Sequence, residues 1–181
     1  MFKVSFFIAI ALAISSAQFL PPQVNVGVTG DFTINDLLGN YFLVGVYNSN
    51  QVSQTARCFK IQLRISSGNV VMTHSYFDTL YNFPISFDVN YLSFPAIPNE
   101  LYSQVDTIYN YKNYAGQNDL IVRYYGKTDG KVILEKRDKS MAYVLSRNGV
   151  SSSDLADIKA KASSLGFSNQ RFLVVDNNQC V

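Results

Sequence analysis

The side chains that most often carry chemistry are scarce in this sequence, which has one histidine, His74, and two cysteines, Cys58 and Cys180. A structural zinc site usually takes four nitrogen or sulfur ligands, so these three residues do not predict a metal centre. No Gly-x-Ser-x-Gly motif is present, and no pattern of acid and nucleophile surrounds His74, so a serine-hydrolase triad is not indicated. We therefore expect a protein that is not an enzyme and that uses no metal or cofactor.

Two basic segments are candidates for contact with phosphate, and neither has the required pattern. Gly126-Lys127-Thr128 resembles the end of a phosphate-binding loop, but Ile121 stands where that loop needs its first glycine. The run from Glu135 to Lys139 mixes both signs of charge, which predicts a solvated turn rather than a nucleic-acid patch. The net charge of +2 is also too small for electrostatic binding of nucleic acid.

His74 has more than one interpretation. If His74 shares one face of a strand with Val70 and Met72, its imidazole points in the same direction as apolar side chains. The first interpretation is an interior imidazole held by a hydrogen bond. The alternatives are a polar contact with a bound molecule, a haem-iron ligand and a pH-dependent switch.

The first 17 of the 181 residues have the pattern of a secretory signal peptide. Lys3 precedes an apolar run over residues 6–14, and Ser15-Ser16-Ala17 supplies the small residues of a cleavage site. That run is shorter than the roughly 20 apolar residues that cross a bilayer, and no later segment reaches this length. A retained anchor helix is the alternative. We expect residues 18–181 to form one secreted domain without a membrane span.

The secretory route changes the interpretation of the two cysteines. In an oxidising compartment a pair of cysteines is more often bridged than free. We therefore expect a disulfide between Cys58 and Cys180. Two unlinked, buried thiols are the alternative.

The segment from Gly39 to Arg147 has a strand-like pattern, since short Val, Ile, Tyr and Phe runs alternate with Gly, Asn, Asp and Pro clusters. The clearest strand is 59–65, where apolar and polar residues alternate without exception. Four more strands and a last one after the helix are predicted at residues 70–76, 119–125, 132–136, 141–146 and 171–175.

One long helix is predicted late in the chain. Ser151 can cap it, with Asp154 in the third position of a capping box. Its apolar residues Leu155, Ile158, Ala162 and Leu165 repeat at three- and four-residue steps. A short helical turn at residues 36–38, capped by Asn35, is predicted before the strands. About eight strands, then a helix and a strand, fit an all-β antiparallel barrel with a helix outside.

Three segments resemble the lipocalins, secreted barrels that carry small hydrophobic molecules. Residues 31–42 resemble the family's opening motif, a helical turn followed by Gly-x-Trp, with Gly39 in the glycine position and Tyr41 in place of the tryptophan. Thr128-Asp129 is similar to the family's Thr-Asp-Tyr turn. Residues 141–147 look like the eighth strand, which ends in Ser-Arg. The similarity continues through the helix to Cys180.

The resemblance implies an eight-stranded up-and-down antiparallel barrel, open at one end and wide enough for one small ligand. It also implies that Arg147 packs across Tyr41 at the closed end, beside Gly39, with its guanidinium over the aromatic face. Since tyrosine offers a smaller face than tryptophan, we expect this stacking to be weaker than in the family.

Alternation of side chains then predicts which residues line the barrel. Ile65 is expected on the same face as the lining. The residues predicted to line a ligand site are Leu43, Phe59, Ile61, Leu63, Val70, Met72, His74, Met141, Tyr143 and Leu145. The alternative is that these side chains fill the barrel completely and leave no cavity.

The resulting hypothesis is a secreted carrier that holds a small hydrophobic molecule, of fatty-acid, sterol or retinoid type, without a covalent bond. The alternative is an interaction or structural protein that binds a protein partner or receptor through the barrel surface. Tyr102, Tyr109, Tyr111 and Tyr114 are the candidate contact patch for that alternative.

Overall fold

The computed structural model of the protein describes residues 32–48, 55–95, 97–103, 119–149, 151–167, 171–177 and 180. The expected signal peptide at residues 1–17 lies outside these ranges, and so do Tyr109, Tyr111 and Tyr114. Within the described ranges, no helix has both the length and the apolar character needed to cross a membrane.

Most of the described chain forms strands, and the predicted strands are confirmed to within a few residues at their ends. In chain order the elements are α1 (Ile34–Leu37), β1 (Gly39–Tyr47), β2 (Ala56–Ser66), β3 (Asn69–Asp78), β4 (Phe83–Phe94), β5 (Ile97–Ser103), β6 (Leu120–Tyr125), β7 (Lys131–Lys136), β8 (Ala142–Ser146), α2 (Ser152–Ala162), a π-helical turn (Ser163–Phe167) and β9 (Phe172–Val174).

Strands β1 to β8 form a closed barrel. Each strand pairs antiparallel with the next, and β1 also pairs with β8, which joins the two edges of the sheet. This confirms the eight-stranded antiparallel up-and-down barrel. Closure removes the exposed strand edges that would otherwise pair with other chains.

The two helices lie outside the barrel and are held by capping boxes. The hydroxyl of Ser151 accepts from the backbone N–H of Asp154, and the Asp154 carboxylate accepts from the backbone N–H of Ser151. This confirms the predicted start of α2. The predicted cap of α1 is wrong, because Thr33 rather than Asn35 precedes the helix, with its N–H and hydroxyl both donating to Asp36.

Helix α2 packs against the outer face of the barrel. Its stripe is centred on Ile158 and Ala162, which are buried against Val44 and Val144 of the sheet. The inner faces of the strands form a separate and larger apolar cluster, to which Leu37 of α1 also contributes. The predicted stripe therefore packs outside the barrel, as the fold requires.

The C-terminal segment fills a gap between β1 and β2. Strand β1 pairs with β2 only over residues 39–42, and its residues 45–47 pair with β9 instead. Between these two stretches the pairing of β1 with β8 shifts its register. Gly45 makes this approach possible, because a Cβ there would lie 2.4 Å from the ring of Phe172.

Beyond β9 the chain is tied to β1 and β2. The side chain of Asn177 donates to the carbonyl of Leu43 and accepts from the N–H of Phe59. The predicted disulfide between Cys58 and Cys180 is confirmed. The barrel is thus completed along this seam by residues near the end of the chain.

Candidate functional site

The end of the barrel beside α1, called the closed end here, is capped by Arg147. Its guanidinium lies over the ring of Tyr41, 5.2 Å from the centroid. The Nη2 atom donates to the carbonyls of Asp36 and Leu38 at 2.6 and 3.1 Å, and to the Tyr41 hydroxyl at 3.0 Å. Because these carbonyls belong to α1 and to the residue that follows it, the arginine holds the helical turn across the end of the barrel.

Tyr41 takes part through its hydroxyl as well as its ring. The side chain is almost completely buried, and the hydroxyl donates to the carbonyl of Leu37 at 2.8 Å. Burial raises the pKa of Tyr41, so the phenol stays protonated and can make this bond. Gly39, at the start of β1, has φ +133°, a conformation that favours glycine. Tyr41 has a smaller aromatic face than tryptophan, but its hydroxyl adds hydrogen bonds to Leu37 and Arg147 that an aromatic stack alone does not provide.

The structure places all ten predicted lining residues on the inner side of the barrel. Eight of them are buried members of the interior cluster, Tyr143 packs against that cluster, and His74 is buried beside Phe59. Ile65 pairs with buried Val70 and so lies on the inner face as expected. It is nevertheless 48% exposed, because β2 ends one residue later at the turn into β3.

Aromatic rings converge around His74 in the half of the barrel away from α1. His74 on β3 lies directly opposite Phe87 on β4, and the two rings stack at 4.8 Å with an interplanar angle of 5°. Phe59 approaches His74 edge-on at 5.9 Å, and Tyr143 lies 6.1 Å away across the barrel. Tyr76 stacks on Phe59 at 4.8 Å. These rings come from strands β2, β3, β4 and β8, and each lies at an inward-facing position.

His74 is an uncharged polar group in this cluster. Burial lowers its pKa to about 4, and the opposing effect of the Asp88 carboxylate is smaller. Its imidazole makes no hydrogen bond with the part of the chain that the structure describes. The prediction of an interior imidazole is therefore confirmed, whereas the prediction that a hydrogen bond holds it is wrong for the described residues.

Two tyrosines add further polar atoms to the same interior. Burial raises the pKa of Tyr143 to about 12 and also raises the pKa of Tyr91, to which the neighbouring Tyr143 contributes. Neither hydroxyl forms a hydrogen bond with any of the described residues. Near neutral pH the interior therefore presents an imidazole and phenols that are uncharged.

The interior is open to solvent along β4, at the end opposite α1. Phe87 points inward, since it stacks on buried His74, yet it is 46% exposed. Phe83, four residues earlier and on the same face, is 48% exposed, whereas Tyr91, four residues later, is 4% exposed. We call this end the open end. Exposure of an inward-facing ring means that solvent reaches the aromatic cluster.

Comparison with solved structures identifies the architecture, although no protein-family model and no curated protein matches the sequence. The cockroach allergen Per a 4 is 11% identical, with a TM-score of 0.61 over 87% of this chain and 96% of that one. Insecticyanin from the tobacco hornworm Manduca sexta is 11% identical, with a TM-score of 0.61 over 86% of each chain. Lobster apocrustacyanin A1 is 10% identical, with a TM-score of 0.57 over 80% of this chain and 79% of that one.

The chain has the lipocalin fold. At these identities the comparison establishes the barrel and its helix, which the sequence motifs predicted. What the residues around His74 can bind depends on their own chemistry.

The lipocalin barrel also contains a buried ionic cluster that sequence analysis missed. Glu100 is 1% exposed, and its carboxylate accepts from the Tyr102 hydroxyl and the Arg137 guanidinium. Asp119 lies 3.5 Å from the same guanidinium. The prediction that residues 135–139 form a solvated turn is therefore wrong for Arg137, because its partners come from β5 and the start of β6. It is also wrong for Glu135 and Lys136, which are buried at the end of β7.

The same cluster corrects the proposed tyrosine patch. Tyr102 is 8% exposed and lies under Arg137, whose guanidinium is 5.0 Å from its ring centroid. It is therefore not an exposed contact residue. Glu100, Asp119 and Arg137 are separated in sequence, and only the pairing of β5, β6 and β7 brings their charges together. The mixed-sign run around Arg137 is the one sign of this cluster in the sequence.

A small cleft lies outside the lipocalin barrel, between α2 and strands β6 to β8. Its volume is about 190 Å³, and its floor is apolar where Ile133, Val144 and Ile158 meet. Lys131 at its edge pairs with Asp154, and Lys161 lies over the ring of Tyr124. Both lysines at this cleft thus already have partners within the protein.

No group of three or more His, Cys, Asp or Glu side chains is placed to hold a metal ion within the described ranges.

Proposed function

We propose that this protein is a secreted carrier that binds a small hydrophobic molecule, without a covalent bond, inside the barrel. One observation supports this proposal above the others. The inward-facing ring of Phe87 is half exposed at the open end, so the apolar interior can be reached from solvent. A barrel closed at both ends would bury this ring.

The proposed binding surface consists of the ten lining residues together with Phe87. Their chemistry suits an apolar ligand, because aliphatic and aromatic side chains predominate and the polar atoms are few. Burial of about 300–400 Å² of ligand surface at ~25 cal/mol per Å² gives roughly 8–10 kcal/mol before the entropy of association is subtracted. Micromolar affinity corresponds to about 8 kcal/mol, so binding in this range is physically reasonable.

Secretion is part of the proposal. The Cys58–Cys180 disulfide supports it, because such bonds persist mainly in oxidising compartments. The charged start, apolar run and small residues of positions 1–17 support cleavage after Ala17. Sequencing of the amino terminus of the secreted protein tests this point, with Gln18 as the expected first residue.

The binding experiment titrates the protein with a panel of apolar fluorescent probes. Met72 is fully buried at the centre of β3. Met72→Trp fills the interior and is expected to weaken the tightest probe by at least 10-fold. Gln62→Trp is the matched control, since it adds the same ring on the exposed, outward face of β2. Its expected effect on affinity is less than 2-fold.

Circular dichroism and thermal unfolding show whether each variant is folded, because overpacking a core costs about 1–3 kcal/mol. The carrier proposal fails if no probe binds saturably to the unmodified protein. It also fails if both tryptophan variants weaken binding equally.

A second candidate function, contact with a protein partner, is favoured by the β3–β4 turn. Leu80 and Tyr81 are 68% and 67% exposed. The turn is held by Asp78, whose carboxylate accepts from the backbone N–H groups of both residues. Large exposed apolar side chains on an ordered turn are typical of contact sites. The double variant Leu80→Ser, Tyr81→Ser separates the candidates, since a carrier that uses only its interior keeps its probe affinity.

A further inference from the structure

The stack of Phe87 on His74 leaves one aromatic surface uncovered. A flat ring has two faces, and one face of Phe87 lies against the imidazole at 4.8 Å. The residue as a whole is 46% exposed, and the imidazole covers only one of the two ring faces. Aromatic rings prefer offset-stacked or edge-to-face contacts with other rings. Phe87 thus offers a planar ligand a stacking surface that an unbranched acyl chain cannot use equally well.

Next to this stacking surface, His74 supplies a polar group that has no hydrogen-bond partner among the described residues. It is 5% exposed and points into the interior. A neutral imidazole has one N–H donor and one nitrogen acceptor, and neither is used by a described residue. The fully buried side-chain atoms without a hydrogen bond in the described chain are Nε of Arg123 and Nε of Arg137, so the His74 nitrogens are not completely enclosed by protein. A ligand hydroxyl or carbonyl beside the ring would provide the missing bond.

Tyr143 extends this polar site across the barrel. Its ring centroid is 6.1 Å from that of His74, and its hydroxyl has no hydrogen-bond partner in the described chain. Both groups are uncharged near neutral pH, since the pKa of His74 is lowered to about 4 and that of Tyr143 raised to about 12. An ionised carboxylate placed there would lose its hydration without gaining an opposite charge.

The charged side chains that strand register places on the inner face belong to the rim and already have partners. Asp78, at the end of β3, accepts hydrogen bonds from the Thr55 hydroxyl and from the backbone of Leu80. Lys136 pairs in register with buried Leu120 near the end of β7, and it too has an interaction partner. Neither is placed within the stack of Phe87 and His74.

We propose that the ligand has a planar ring system and an uncharged hydroxyl or carbonyl group, with Phe87 stacking on the ring and His74 and Tyr143 hydrogen-bonding the oxygen. This inference rests on the proposed carrier function and specifies its ligand class. It favours ring-bearing alcohols and ketones over unbranched fatty acids.

The test uses four probes, namely pyrene, 1-pyrenemethanol, 1-pyrenecarboxylate and 1-hexadecanol, the last measured by competition. We expect the unmodified protein to bind 1-pyrenemethanol about 5- to 10-fold more tightly than pyrene, the effect of one hydrogen bond. The carboxylate and 1-hexadecanol are expected to bind more weakly than 1-pyrenemethanol.

Two variants then assign these preferences to residues. Phe87→Leu is expected to weaken both pyrene and 1-pyrenemethanol by about 2- to 10-fold, and 1-hexadecanol by less than 2-fold. His74→Phe keeps a ring beneath Phe87 but removes both nitrogens, so the advantage of the alcohol over pyrene should fall to below about 3-fold. Phe77→Leu is the control, because Phe77 lies three positions after His74 on the outward face of β3. It should change none of the four affinities.

The outcomes distinguish the inference from the function on which it rests. If none of the four probes binds saturably, the carrier proposal fails and the inference fails with it. If the probes bind but 1-hexadecanol equals 1-pyrenemethanol, or Phe87→Leu weakens both equally, the carrier proposal stands and the ring preference is refuted. Tightest binding of the carboxylate refutes the uncharged class, while the carrier proposal stands.

Discussion

At the closed end of the barrel the polar atoms beside the aromatic ring have partners, whereas at the open end they have none within the described chain. Arg147 donates to two carbonyls and a hydroxyl while it lies over Tyr41. His74 and Tyr143 lie among aromatic rings and form no hydrogen bond with the described residues. Both ends place a nitrogen-bearing side chain against an aromatic ring, but only at the closed end do its hydrogen bonds come from the described chain.

This difference separates stability from binding. A satisfied buried network stabilises the fold. The polar atoms of His74 and Tyr143 are not among the fully buried atoms that lack a partner in the described chain, so another molecule inside the barrel can bond to them. We therefore interpret the closed end as the structural support of the barrel and the open end as its binding surface.

Removal of the disulfide is expected to have the largest effect, because it acts on the seam that joins both ends. Replacing both cysteines, Cys58→Ser with Cys180→Ser, releases a loop with a sequence separation of 122 residues. The chain-entropy model gives a loss of about 5 kcal/mol as an upper value. Chemical denaturation of the double variant measures this loss.

Reduction of the unmodified protein is the control for the serine variant and should reproduce the same decrease in unfolding free energy. Probe affinity measured where the variant is still folded should change little if binding depends on the open end alone. A large loss of affinity would show that the seam, and not only the region around His74, shapes the binding surface.

Arg147→Ala tests the role of the closed end directly. We expect the unfolding free energy to fall by roughly 1–3 kcal/mol, through loss of the stack on Tyr41 and of hydrogen bonds to α1. Probe affinity should fall by less than 2-fold, since the guanidinium is remote from Phe87. Urea denaturation and probe titration of the same preparation provide both values.

The comparison between the two ends would be wrong if Arg147→Ala left the unfolding midpoint unchanged but weakened binding. Arg147→Lys is a useful second variant. Lysine keeps the charge but lacks the planar fork that donates to Asp36, Leu38 and Tyr41, so it should restore only part of the stability.

Titration of His74 should make the free energy of unfolding depend on pH, with a smaller effect than loss of the disulfide. Burial lowers its pKa to about 4, compared with an ordinary value of 6.5. Between these values the unfolded chain binds a proton that the folded chain does not, so the contribution is constant above pH 6.5 and stability decreases as the pH falls towards 4. From pH 7 to pH 5 the expected loss is about 2 kcal/mol.

The measurement compares this pH dependence in the unmodified protein and in His74→Phe, which cancels the titration of carboxylates shared by both. The variant should lose about 2 kcal/mol less over the same interval. Identical pH profiles would show that the imidazole is hydrated in the folded protein and that the open end is wetter than the structure indicates.

Much of the fold could be predicted because local patterns encode it. Alternation over residues 59–65 predicted the inward and outward faces of β2, and only the exposure of Ile65, where the strand ends, did not follow from it. The Ser151 capping box predicted the start of α2 correctly. The cap of α1 was misplaced because Thr33 and Asn35 are both common capping residues, and the decisive contact is the reach of Asp36 back to Thr33.

The binding surface was predicted only in part. Sequence periodicity placed His74 on the inner face, and it could not reveal Phe87, since β4 lies in a segment whose strand boundaries the pattern did not define. The exposed contact expected of Tyr102 was wrong for a related reason. Burial of its ring depends on Arg137, which is far away in sequence and reaches it only through the order of the strands.

By itself, the sequence determined the class of fold, the direction in which most strand residues point, the start of the long helix and the presence of one disulfide. These properties depend on short-range periodicity, capping chemistry and the number of cysteines. The tertiary structure alone decided which polar groups are satisfied. Hydrogen bonds act over about 3 Å, so each depends on which residues the closed barrel brings together. Closure places Arg147 against Asp36 of α1, more than 100 positions away in sequence. It leaves the His74 imidazole among aromatic rings, without a hydrogen-bond partner among the described residues.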